Sequence, residues 1–127
     1  MIDDRLVSVL AAGFLSSLVL LSSSAAPPSL TVAELWGLGG DSTLTVSGVL
    51  VSLRSYESGS EVLVISDEGG PPTVRVVCTI GPGPSPGDIS SIGDLLSVSG
   101  ECVFEDGTPS VFCRYGDVRL LRRCQDV

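Results

Sequence analysis

The sequence predicts an all-β domain, a small closed barrel of five strands, with a short helix before it and an apolar helix at its N-terminus. The first observation behind this is a strand design that occurs twice. Leu44-Thr45-Val46-Ser47-Gly48-Val49-Leu50-Val51 returns in altered form as Leu96-Ser97-Val98-Ser99-Gly100-Glu101-Cys102-Val103. A glycine inside a β-branched run marks a bulge, a bend or a close backbone approach. The second observation is a change of phase. Leu44 and Val46 alternate with polar residues, whereas after Gly48 the apolar positions are Val49, Val51 and Leu53. A strand that slips by one at a glycine is kinked to serve two sheets, as closed barrels require. The third is size: 127 residues, 43% of them hydrophobic, suffice for one core and an appendage.

Residues 6–26 form the appendage. Leu6 to Leu21 is almost wholly apolar and continues without a charge through Ser22–Ala26, close to the length of a spanning helix. It reads either as a cleaved signal peptide or as an uncleaved membrane anchor, followed by the linker Pro27-Pro28. Residues 1–28 are therefore set apart from a folded domain over 29–127. Arg5 precedes the segment and the next basic residue is Arg54, so the charge bias puts the domain outside the cytoplasm, anchored or secreted.

Thr31 lies three residues before Glu34, with apolar positions after it, the pattern of a capping box opening a short helix. Gly37, Gly39 and Gly40 stop that helix, and Leu30, Leu35 and Trp36 are expected to pack on the barrel's end. The first strand then runs over about Leu44–Arg54, and Ser58-Gly59-Ser60 turns the chain into a second strand at Glu61–Ser66. Asp67 to Pro72 is dense in turn residues, and the third strand, Thr73–Cys78, alternates Val74, Val76 and Cys78 with Arg75 and Val77. Pro82, Pro84 and Pro86 allow the following connector at most a turn or two of helix. After the second glycine-marked strand, Glu105 to Pro109 is a turn by composition, and Ser110–Leu121 makes the fifth strand with a bend at Gly116.

Meander, connector and hairpin, with glycine-kinked first and fourth strands, resemble the OB-fold, a Greek-key barrel that binds oligonucleotides and oligosaccharides on its second and third strands. The runs Thr31–Leu35, Leu44–Val49, Val64–Gly69 and Gly93–Gly100 are similar to OB modules of the tRNA-anticodon-binding type, and that resemblance implies binding of single-stranded nucleic acid. An N-terminal membrane segment before such a barrel is also similar to the haem-chaperone OB proteins, but their haem-attaching histidine has no counterpart here, and no cofactor is expected.

Charge and side-chain chemistry narrow the function. The net charge is −8, and the chain has seven arginines, no lysine and no histidine. The commonest general base and metal ligand is missing, and the serines have no visible base to activate them, so no enzyme, catalytic residue, metal site or small-molecule substrate is expected. Single-strand binders pair a basic groove with aromatic platforms, yet the second and third strands carry only Arg75 and no aromatic residue. The candidate ligand-binding set is therefore Tyr56, Arg75, Tyr115 and the C-terminal arginines Arg114, Arg119, Arg122 and Arg123, with Phe112 beside them. The outward side of strands two and three, Val62, Val64 and Val77, is aliphatic and suits a protein partner in a structural or assembly role.

No Cys-x-x-Cys pair occurs among Cys78, Cys102, Cys113 and Cys124. A four-residue loop in the last hairpin would set Glu105 against Ser110 and Cys102 against Cys113, within disulfide reach, leaving Cys78 and Cys124 as a second pair. Disulfides outside the cytoplasm and four small buried hydrophobes both fit this pattern.

Overall fold

A computed structural model describes residues 29–124. The apolar segment at 6–26 and the linker after it lie outside the described residues. The elements are β1 (Ser29–Thr31), α1 (Val32–Trp36), β2 (Ser42–Ser55), β3 (Glu61–Asp67), β4 (Gly70–Thr79), α2 (Pro86–Ile89), β5 (Leu95–Glu105), β6 (Thr108–Arg114) and β7 (Val118–Arg122). Strands β2, β3, β4, β6 and β5 pair in that order, and β5 pairs back onto β2, so five strands close a ring. Every pair in the ring is antiparallel except β4–β6. β1 lies parallel on β2, and β7 lies antiparallel on β5.

The two glycine-marked strands are where the ring turns its corners. β2 pairs with β5 over residues 42–49 and with β3 over 49–55, and Gly48 stands at the hand-over. A Cβ there would lie 2.7 Å from the Ser66 carbonyl oxygen and 3.0 Å from Val32 Cγ2. β5 passes from β2 to β6 near Gly100, where a Cβ would run into the Phe112 carbonyl oxygen. Both glycines serve close backbone approach. The phase slip is displaced from the expected position: Leu44, Val46, Gly48 and Leu50 are all inward, and the bulge lies between Leu50 and Ser52, leaving Val51 47% exposed. The kink therefore has two parts, a close-contact glycine and, three residues on, a bulge that resets the alternation.

The core is the expected one on strands two and three: Leu63, Ile65, Val74, Val76 and Cys78 are buried with Leu44, Leu50, Leu96, Val98 and Val111. The capping box is present, with Glu34 N donating to Thr31 Oγ1 (3.1 Å) and Thr31 N to Glu34 Oε1 (2.9 Å). α1 buries Val32 and Leu35 on one end of the barrel. At the other end Glu61, itself buried, accepts from Gly87 N (2.9 Å) and Ser55 Oγ (3.2 Å), which ties α2 to the start of β3. The fifth strand is broken where a bend was expected: Tyr115–Asp117 is a turn of 3-10 helix containing Gly116, and β7 beyond it joins β5.

The final hairpin corrects one expectation. Asp106 and Gly107 both have positive φ (54° and 79°) and form a two-residue turn, so Glu105 pairs with Thr108. Left-handed backbone at both central positions is the type I′ geometry that Asp-Gly favours and that matches strand twist. Thr108 and Pro109, read as loop, are strand, and the register moves by two residues. Cys102 consequently faces Val111, not Cys113, and Cys113 pairs with Cys78 across β4–β6. The companion pairing of Cys78 with Cys124 falls with it, since Cys124 is exposed beside Gly93.

Candidate binding face

Register alone aligns one face across the ring. Ser52, Val64, Arg75, Ser110 and Val103 form one row over five strands, and Arg54, Val62, Val77, Phe112 and Glu101 form the next. Those on β3, β4 and β6 alternate with buried neighbours, Val103 and Glu101 flank buried Cys102, and Ser52 and Arg54 are themselves exposed, so the rows project outward. Arg75 is at the centre. Three shallow grooves of about 290, 280 and 270 Å³ share it: one toward Trp36, Thr73 and Pro109, one toward Arg54 and Tyr56, and one toward Phe104, Glu105 and Phe112.

The middle of this face is aliphatic and its rim is aromatic. Val62, Val64 and Val77 are half-buried, while Trp36, Tyr56 and Phe112 are 38%, 48% and 44% exposed. Trp36 reaches the face because its Nε1 donates to the Thr73 carbonyl (2.9 Å), which pins the indole of α1 over the start of β4. The sequence favours packing on the barrel's end over ligand stacking for Trp36; α1's short length and Gly37 directly after it are the signal that this side chain sits at an end of the helix. Arg54 and Arg75 supply positive charge, Glu101 and Glu105 supply negative charge on the β5 side, and among the described residues neither arginine is ion-paired.

The proposed ligand set divides. Tyr56 and Arg75 belong to this face. Tyr115 does not: it is half-buried and its hydroxyl donates to the Gly59 carbonyl, tying the turn after β6 to the β2–β3 loop. Burial, and then the charge of Glu61, hold that phenol above its ordinary pKa. The four C-terminal arginines do not form one patch. Arg114 ends β6 and packs on Gly81; Arg119 stands opposite Ser97; Arg122 makes a 2.7 Å ion pair with Glu68; Arg123 lines a separate hollow with Asp94 and Cys124. Asp94 there is buried and accepts from Cys124 N (2.8 Å) and Ser91 N (2.9 Å), and those two backbone bonds hold its carboxyl below the usual range. Among the described residues no cluster of three His, Cys, Asp or Glu side chains could hold a metal ion, and no helix is long and apolar enough to cross a membrane.

A closed five-strand ring with glycine-kinked first and fourth strands and one parallel pair defines an OB-fold barrel. Solved structures agree at the level of fold. The chain is similar to the OBody AM1L10 bound to hen egg-white lysozyme, with a TM-score of 0.52 and 19% identity over 84% of this chain and 100% of that one. It is similar also to the OBody AM3L09 bound to hen egg-white lysozyme, at 0.53 and 17% over 82% and 99%. No protein-family model and no curated protein sequence matches the chain.

Proposed function

We propose that this protein is a non-enzymatic binding module, tethered to or exported through a membrane by residues 6–26, that captures another protein on the Arg75 face. The observation that carries this reading is the composition of that face: an aliphatic centre on Val62, Val64 and Val77, an aromatic rim, and an arginine in the middle. Buried aromatic and arginine anchors ringed by less critical contacts are the usual energetic centre of a protein interface. The occupant that fits is a polypeptide segment presenting an acidic side chain to Arg75 with apolar residues on either side. The OBodies similar to this chain are bound to a protein, which is in keeping with that choice.

Single-stranded nucleic acid is the second reading, favoured by Trp36, Tyr56 and Phe112 as stacking surfaces and by the resemblance to anticodon-binding modules. Charge weighs against it. Two arginines on the face give a salt slope of only about −1.4 for a single strand, and Glu101 and Glu105 repel phosphates along one side. Titration of the full chain with a labelled single strand, at low salt and at about 0.15 M, separates the two. Weak binding that fades at the higher salt is expected; sub-micromolar affinity that persists there would make nucleic acid the ligand.

A further inference from the structure

We propose that Cys78 and Cys113 form a disulfide that staples the parallel seam of the barrel. The two residues are Cα partners on β4 and β6, both side chains point into the core, and their sulfurs lie 2.9 Å apart. Adjacent strands stand about 4.7–4.9 Å apart, inside the span of about 4.4–6.8 Å between Cα atoms that a disulfide accepts. Neither remaining cysteine competes, since Cys102 faces Val111 and Cys124 lies at the surface beside Gly93.

The position is one where a cross-link has leverage. β4 and β6 are not joined by a hairpin, and the two cysteines are 35 residues apart in sequence. Closing that loop covalently removes conformations from the unfolded chain. The chemistry needs an oxidant, here a disulfide such as oxidised glutathione. One cysteine thiolate attacks it, forming a mixed disulfide and releasing one glutathione thiolate. The second cysteine thiolate then attacks the protein sulfur of that mixed disulfide and releases the other glutathione. Two protein protons pass to the two departing thiolates, and two electrons reduce the oxidant. In the folded barrel the hydrogen bond with Cys78, and then burial, keep Cys113 as the thiol, so the exchange belongs to folding, while both sulfurs are still wet.

The test is refolding of the full chain from reductant and denaturant into oxidised and reduced glutathione, alkylation of free thiols in denaturant, and peptide mapping without reduction. Cleavage after Arg75, Glu101, Glu105, Arg114 and Arg123 puts the four cysteines on four peptides. The Cys78 and Cys113 peptides should be joined, lighter by two hydrogens than the pair of thiols, with Cys102 and Cys124 alkylated. Reductant should lower the thermal midpoint by on the order of 10 °C, and Cys78→Ser should abolish that response. Four alkylated cysteines, a bridge through Cys102 or Cys124, or a midpoint that reductant leaves in place would each overturn the proposal; the mapping requires no variant to fold.

Discussion

Gly48 and Gly100 lie near opposite ends of the ladder that β2 and β5 share, Gly48 opposite Leu96 and Gly100 opposite Leu44. Each lies where its strand leaves that ladder for a new partner, β3 in one case and β6 in the other. The repeated strand is thus one device used twice to close the barrel.

A methyl group at either position should be costly. Neither glycine has a left-handed φ, so the penalty is steric: the intruded atoms are backbone carbonyl oxygens of Ser66 and Phe112, which cannot swing aside. Gly48→Val and Gly100→Ala should each destabilise the fold by about 1–3 kcal/mol, read as a lower midpoint in denaturant. Unchanged midpoints would remove the argument for close approach at the corners.

Asp94 should give the barrel a specific sensitivity to acid. Its folded pKa is depressed, so the stability it contributes is present above the unfolded value near 3.8 and is lost as pH falls below it. The difference in midpoint between the wild type and Asp94→Asn should be largest near neutrality and shrink between about pH 5 and about pH 3. A difference that is constant through this range would mean that the carboxylate's charge is not what the backbone donors of Ser91 and Cys124 recognise.

Trp36 is the chain's one tryptophan and lies on the proposed face, so its emission reports occupancy directly. Binding of a partner should shift that emission. Arg75→Glu should weaken the partner at least tenfold, about 1.4 kcal/mol, while leaving the unfolding midpoint within about 0.5 kcal/mol, because Arg75 is exposed. Changing Arg119, Arg122 and Arg123 to serine should leave the affinity unaltered; a loss there would move the site to β7.

Much of the barrel was legible in local pattern. The alternation at Leu63, Ile65, Val74, Val76 and Cys78, the Thr31–Glu34 box and the paired glycines are short-range signals, and all appear in the fold. What escaped depends on register between distant strands. Cys102 misses Cys113 because the hairpin is two residues tighter than Pro109 suggested, to which Asp106-Gly107 was the clue, while the parallel β4–β6 register that sets Cys78 beside Cys113 leaves no local trace. The bulge at Val51 escaped because an apolar residue after Gly48 made the slip look as if it began there. The face itself was half visible: its valines could be read from alternation, whereas Trp36 joins it through a hydrogen bond to Thr73, a contact no local pattern announces.

The central claim, a protein partner on the Arg75 face, is tested most directly by a photo-reactive side chain placed at position 77 in the full chain and activated in cells. The expected product is a covalent adduct that nuclease leaves intact and protease degrades, that is absent when the same group is placed at position 45 on the β2–β5 side, and that Arg75→Glu reduces. An adduct that nuclease destroys, or equal yields from positions 77 and 45, would contradict it.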